Sequence, residues 1–388
     1  MQRSELKKTG GHRPDYFLLL VVLFLLGFGL IMVLSASTVD SRENFGNDYT
    51  YFFHQLLYGG LTGIVAFFIF SRIDYHFYRK LALPFFIVAV GLLIGVLIEG
   101  NIVKGAQRWI AIGPIVFQPT EVVKMAVILY FAAWFSKIGG DIKTWKRGFL
   151  PFVAILVMLC GLIIMQPDLG SLLVVAVISL AMFFIAGAPW IHMVTIGVTG
   201  VAGIAYLIKT AEYRVARLTV FLDPSLDPKG AGYQINQALL AIGSGGIFGL
   251  GLGQSIQKHN YLPETNTDSI FAIIAEELGL FRSLLLVALF LALAIRGFQI
   301  AKNAPDEFGR LLAAGITTWI AFQAFINIGA ILGILPLTGV PLPFVSYGSS
   351  ALIVSLAASG ILLNISRQTR GKEARASRVP LHPVVKKV

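Results

Sequence analysis

The feature that most constrains this chain is the recurrence of apolar runs about 20 residues long, the length an α-helix needs to cross roughly 30 Å of hydrocarbon. By run length they cover 16–36, 52–71, 80–98, 119–136, 149–165, 170–187, 190–208, 268–295, 309–334 and 346–365. Composition agrees, because 56% of the 388 residues are hydrophobic and only 13% charged, about half the charged share of a soluble domain. The expected fold is an all-α integral membrane protein of about ten transmembrane helices. It divides into an N-terminal tail over 1–15, one membrane domain over 16–365 and a basic C-terminal tail over 366–388. The first run follows Arg3, Lys7, Lys8 and Arg13, yet it is too long for a cleaved signal core and further spans follow it, so it is expected to be retained.

Several function classes fall away. The single cysteine, Cys160, lies in an apolar run, which excludes an intramolecular disulfide and a cysteine-based metal centre. The net charge of +11 forms no basic stripe with interleaved aromatics, so nucleic acid is not an expected partner. The basic residues instead fall in alternate connections: Arg72, Arg79 and Lys80, then Lys137, Lys143, Lys146 and Arg147, then Arg296, Lys302 and Arg310, then the tail. The positive-inside rule makes those segments and both termini cytoplasmic. The longest connection, 209–266, is then extracytoplasmic, and a loop of that length calls for a functional reason. Within it, Tyr233, Ile235, Leu239, Leu240 and Ile242 oppose Gln234, Asn236 and Gln237, a pattern that predicts a helix lying along the membrane surface. The glycine-rich stretch 243–253, GSGGIFGLGLG, lacks the flanking strand and helix of a nucleotide loop and predicts close backbone packing.

Ionisable residues at or inside spans are costly and mark candidate sites. Four places qualify. In LPETNTDSIFAIIAEELG, 262–279, Thr265 or Thr267 can cap a helix with Asp268 in its first turn. Asp268 there is either a helix-start signal or a functional acid. Glu276 would lie about 12 Å deeper and about 80° round the helix, with Glu277 facing the other way. The two acids either act directly or pair with a basic residue on another helix. In GAQRWIAIGPIVFQPTEVVK, 105–124, Glu121 and Lys124 are three apart and can pair, while Arg108 and Trp109 suit an interfacial anchor or a phosphate. In QPDLG, 166–170, Asp168 reads first as a turn or cap residue. Arg214 and Arg217, also three apart, suit either a solvated face or an anionic head group. His12, His54, His76, His192, His259 and His382 show no metal-ligand spacing.

Together these motifs resemble the SEDS family (shape, elongation, division and sporulation), membrane glycosyltransferases of the bacterial cell wall. The resemblance runs through nearly the whole chain: SAS at 35–37, GAQRWI, QPTEVVK, QPDLG, the stretch from YRVARLTVFLDP to GLGLGQS, LPETNTDSIFAIIAEELG, and PLPFVSYGSS before the last run. GLGLGQS followed by QKHNYLPE is closer to the FtsW-type division members than to the RodA-type elongation members. The resemblance implies polymerisation of lipid II: the acceptor's sugar hydroxyl attacks the donor's anomeric carbon and undecaprenyl pyrophosphate leaves. It places Asp268 as general base or acceptor positioner, which fits a hydroxyl nucleophile, and calls for cationic neighbours at the leaving group. Substrate contacts are expected from Arg108, Trp109, Gln118, Glu121, Lys124, Asp168, Arg214, Arg217, Glu264, Glu276 and Ser346.

No protein-held metal is expected, although a divalent cation, Mg or Mn, at the pyrophosphate stays open. Expected partners are a class B penicillin-binding transpeptidase, other division proteins and membrane lipid. The expected place is the bacterial cytoplasmic (inner) membrane at the septum. Asn266 stands where the family usually has His, Ser269 where it has Phe, Arg282 where it commonly has Gly, and Ser349 where it has the second Gly of SYGGSS. Alternatives are an elongation polymerase, a lipid II flippase, which needs no catalytic acid, and a non-catalytic scaffold for division proteins.

Overall fold

The computed structural model describes residues 14–103, 106–112, 115–209, 215, 219–223, 226, 227, 230 and 232–369. Every apolar run is helical. The helices are α1 (Tyr16–Phe45), α2 (Thr50–Arg72), α3 (Tyr75–Glu99), α4 (Pro119–Ile138), α5 (Leu150–Ile164), α6 (Leu169–Ile185) and α7 (Trp190–Lys209). After the long connection come α8 (Tyr233–Gly245), α9 (Ile270–Asn303), α10 (Glu307–Ile331) and α11 (Ser349–Gln368). Among the described residues, eight helices are long and apolar enough to cross a membrane, and Leu169–Ile185 and Trp190–Gly203 are shorter apolar helices. The protein is a multi-pass membrane protein.

α10 and α11 form the centre, with 78% and 83% of their most apolar stretches buried, against 28% for α2 and α3, whose outer faces are left for lipid. Where a hydrophobic drive between helices is missing, small residues let backbones approach. At Gly360 of α11 a Cβ would overlap the carbonyl oxygen of Phe67 on α2.

One feature is absent from the all-α sequence reading. The connection before α4 holds three short strands: β1 (Asn101–Val103), β2 (Ala106–Ile112) and β3 (Ile115–Phe117) form an antiparallel sheet, with Trp109 opposite Asn101 and Ile110 opposite Phe117. An alternation of only three to seven residues is too short to stand out beside twenty-residue runs.

The helix expected within the long connection is α8. It runs beside the start of α9 in the same direction: Gln234 meets Ser269 at one end, and Ser244 and Gly245 meet Glu276 and Ala275 at the other. One side of it packs on protein, with Ile235, Ala238 and Ala241 buried, while Leu239 and Leu240 stay exposed. Beyond Gly245 the chain enters a break in α9 at Gly279, whose φ of 78° and ψ of 176° are non-helical. Leu250 and Gly251 donate their N–H groups to the carbonyls of Glu276 and Glu277, both at 3.0 Å, while Leu280 and Phe281 donate to the carbonyls of Gly246 and Ile247 at 2.9 and 3.3 Å. The broken helix thus keeps its backbone paired, as hydrocarbon requires. The glycine-rich stretch packs backbone to backbone, as its composition predicts.

Because successive spanning helices alternate in direction, the strands, the starts of α4, α6, α8, α9 and α11, and the 332–348 connection share one end of the bundle. At the opposite end Asp15 pairs with Arg296 at 2.5 Å, and Tyr75 donates its hydroxyl to Asp306 at 2.8 Å.

Candidate active site

Asp268 lies in a run of turns and not, as its sequence suggests, in the first turn of a helix. α9 begins at Ile270 after Ser269, whose side chain makes no cap bond. The threonines expected to cap it are used elsewhere: Thr265 donates to the Ala36 carbonyl at 3.3 Å, and Thr267 to the Glu264 carboxylate at 2.8 Å. Glu264, at a positive φ of 55°, accepts the N–H groups of Thr267 and Ser269 and so shapes the turn.

The segment around Asp268 is fastened residue by residue. The Asn266 carbonyl accepts the Tyr347 N–H at 2.8 Å, and the Thr267 carbonyl accepts the Ser346 hydroxyl at 2.6 Å. The Asp268 carbonyl accepts Nδ2 of Asn327 at 2.8 Å, and the Ser269 hydroxyl accepts Nε2 of Gln234 at 3.0 Å. Three elements, the 332–348 connection, α10 and α8, thereby fix the backbone that carries Asp268 at the edge of a small cavity, lined also by Gln234, Asn327, Leu337, Thr338 and Gly339. Gly339 has φ +70°, and a Cβ there would lie 3.3 Å from Oδ2 of Asp268.

Behind this cavity a second polar group crosses from α4 to α10. Lys124 and Glu121, each 1% exposed, pair at 2.8 Å. The ammonium also donates to Oε1 of Gln323 at 2.7 Å and sits 5.2 Å from the Trp319 ring centre. Gln323 in turn donates to the Pro341 carbonyl at 2.9 Å, and Asn327, one turn along α10, donates to the neighbouring Val340 carbonyl at 2.8 Å. Lys124 and Glu121 therefore support the cavity wall but do not line it.

Arg108, on β2, donates from Nε to the Gln166 carbonyl at 2.9 Å and from Nη2 to that of Pro167. Gln118 donates to Oδ2 of Asp168 at 3.3 Å, while Oδ1 of Asp168 accepts the Ser171 N–H at 3.0 Å and so caps α6. Trp109 is half-buried in the same strand. A Cβ on Gly170 would overlap the Thr338 carbonyl and the Val340 side chain, so the start of α6 abuts the loop that walls the cavity. Arg214 and Arg217 lie outside the described residues.

The two buried acids of α9 sit apart from the cavity lining. Glu276 accepts from the Ser255 hydroxyl at 2.5 Å and from the Ile256 and Gln257 N–H groups at 3.0 and 3.4 Å. Glu277 accepts the Ser35 hydroxyl on both oxygens, at 2.8 and 2.6 Å, and pairs with Lys258 at 3.1 Å. Its basic partner comes from a coil segment, not from another helix. Sequence reading passed over Asn327, Gln323, Thr338 and Lys258. The legible signal was two amides four apart in an otherwise apolar span, Gln323 and Asn327, which share a helix face.

A membrane helix bundle with one anchored carboxylate on a polar cavity at one end defines the class to which this protein belongs. The FtsW/RodA/SpoVE family of cell cycle proteins matches residues 16–371, and the chain belongs to that family. It is 43% identical to stage V sporulation protein E of Bacillus subtilis, over 94% of this chain and 99% of that protein. It is 42% identical to a probable peptidoglycan glycosyltransferase FtsW of Trichlorobacter lovleyi, over 93% and 96%. Among solved structures, a chain from a peptidoglycan synthase complex that coordinates polymerization and crosslinking superposes with a TM-score of 0.74 at 27% identity, covering 91% of this chain and 98% of that one. The rod shape determining protein RodA of Thermus thermophilus does so with 0.66 at 27%, covering 92% and 98%.

Proposed function

We propose that this protein is a peptidoglycan glycosyltransferase that polymerises lipid II for septal wall synthesis, with Asp268 as the general base. The observation that carries the reading is the placement of Asp268, which lines a cavity on a backbone fastened by Asn327 and Ser346, in a chain whose relatives bear the name peptidoglycan glycosyltransferase. Asp268 takes the proton of the acceptor's sugar hydroxyl as that oxygen bonds to the donor's anomeric carbon. The bond from that carbon to the pyrophosphate breaks, and undecaprenyl pyrophosphate leaves with the electron pair. Fixing the base before substrate arrives removes a reorganisation step from the barrier.

The cations for the leaving group are not Lys124, which Glu121 neutralises, nor Arg108, which two carbonyls occupy. Arg214 and Arg217 of the long connection take that task. Among the described residues, a divalent cation at the pyrophosphate would meet the carboxylate of Asp268 in this cavity and would draw other ligands from substrate and water.

The protein sits in the bacterial cytoplasmic membrane with both termini cytoplasmic and the 209–266 connection extracytoplasmic, in keeping with the alternation of its basic connections. It works at the septum with a class B penicillin-binding transpeptidase and other division proteins, a reading supported by the synthase-complex neighbour. The test is glycan synthesis from lipid II by purified wild type and Asp268→Asn with the partner present. A fall of about 10²-fold or more is expected, and near-normal polymer from the variant rejects the base.

The 43% identity to a sporulation protein favours a second reading, action in spore formation. Depletion separates the two: filamentous cells point to division, normal growth with defective spores to sporulation.

A further inference from the structure

We infer that Gln55 of α2 is a positioning residue for Asp268, a role that rests on the polymerase reading above: its amide braces the 346–348 turn, and that turn fastens the two residues before Asp268. Gln55 is 1% exposed although it lies near the outer start of a spanning helix. Both ends of its amide are used. Oε1 accepts the Gly348 N–H at 3.1 Å, and Nε2 donates to the Ser346 carbonyl at 3.4 Å. Between those two points Tyr347 gives its N–H to the Asn266 carbonyl at 2.8 Å, and Ser346 gives its hydroxyl to the Thr267 carbonyl at 2.6 Å. One three-residue turn thus joins α2 to the backbone that carries Asp268. Gly348 has φ 154°, and conformations of that kind persist where the surroundings fix them.

The local form of α2 serves the same contact. Gln55–Leu61 is π-helical, a rare form that is found mostly at functional sites. Within it Gly59 leaves room for the amide, since a Cβ there would lie 3.4 Å from Cδ of Gln55 and 3.2 Å from Cα of Ser349. His54, the preceding residue, meets the Tyr347 hydroxyl through Nδ1 at 3.0 Å, so α2 grips the turn at its centre as well. A buried amide between membrane helices can also be plain structural glue. The same pair of helices holds such a case at its other end. Asn364 of α11 accepts the Tyr75 N–H at 3.1 Å and donates to the Ser71 carbonyl at 3.0 Å. It is buried like Gln55 but lies at the end of the bundle away from Asp268. The two amides share their chemistry and differ in what they hold.

The experiment compares Gln55→Met with Asn364→Leu, each nearly isosteric, in the full chain with its transpeptidase partner and at equal folded yield. Both should lower Tm, because each leaves backbone groups unpaired in the bundle. Only Gln55→Met should quicken amide hydrogen exchange over 262–269 and 342–348. Only it should lower kcat for lipid II polymerisation, by roughly tenfold or more with KM little changed. If Gln55→Met does not fold, Gln55→Glu, which keeps an acceptor for the Gly348 N–H, carries the same comparison with a smaller effect. Unchanged exchange over 262–269, or a kcat loss no greater than that of Asn364→Leu, overturns the inference. Asp268→Asn tests the underlying reading separately: normal polymerisation by that variant removes the general base, while the exchange comparison still decides the brace.

Discussion

The N–H of Leu250 donates at 3.0 Å to the carbonyl of Glu276, the bond that Leu280 would have made in an unbroken α9. A neighbouring stretch of chain thus completes a helix that breaks at Gly279, and the first segment of α9 leads back from that joint to Asp268. Gly279→Ala should be severely destabilising: it puts a side chain at φ 78°, and its Cβ would overlap the Gly249 nitrogen. Strain alone is worth about 1–3 kcal/mol, with the overlap in addition. Thermal melting in detergent would show this as a marked drop in Tm, and an unchanged melt would remove the joint from the account.

The pair Glu277 and Lys258 is fully enclosed, with side chains 0% and 6% exposed. Lys258→Met leaves a buried carboxylate without its cation and should cost about 3–5 kcal/mol, whereas Lys258→Met combined with Glu277→Gln should recover most of that loss. A double-mutant cycle measures it, and additive effects would show that the two residues do not act as a pair.

Gly339→Ala probes the cavity without touching the carboxylate itself. At φ +70° an alanine is strained by about 1 kcal/mol, and its Cβ comes to 3.3 Å from Oδ2 of Asp268. Folding should survive while glycan synthesis falls on the order of ten- to hundredfold, the effect of displacing a reacting group by a fraction of an ångström to 1 Å. Wild-type turnover with a wild-type melt would mean that Asp268 needs no close placement.

Topology is open to labelling. In a Cys160→Ala background, a cysteine placed at Asp227 should react with a membrane-impermeant maleimide added to intact spheroplasts. Reaction only after lysis would invert the assignment of both ends.

Partnership makes the fifth expectation. Polymer yield from the isolated protein should be low and rise on adding its cognate class B penicillin-binding protein. Full activity alone, unmoved by any such protein, would argue against a coupled synthase.

Much of this was legible in the sequence because hydrocarbon leaves a chain few choices. Run length placed every helix but α8, and charge cost marked Asp268, Glu121, Lys124, Glu276 and Glu277. What could not be read was which polar group meets which. Lys258 and Ser35 meet Glu277 across 19 and 242 residues of sequence, and no periodicity encodes such pairings. For α8 the amphipathic pattern marked the helix but not which apolar residues meet protein, as Ile235 does, and which stay exposed, as Leu239 and Leu240 do. Asp268 was put inside a helix because the turns before Ile270 carry the same Thr and Asp that favour a helix start.

The order in which the chain is made bears on the two buried acids of α9. Glu276 and Glu277 enter the membrane on a segment synthesised after α8, Ser255 and Lys258. Two adjacent carboxylates facing lipid carry an insertion penalty of roughly 5–7 kcal/mol. Their donors and counter-ion, on Ser255, Ile256 and Lys258, precede them in the chain and so emerge first. Sequence order therefore supplies the partners of these acids before the acids themselves, since Ser255 and Lys258 precede Glu276 and Glu277 along the chain.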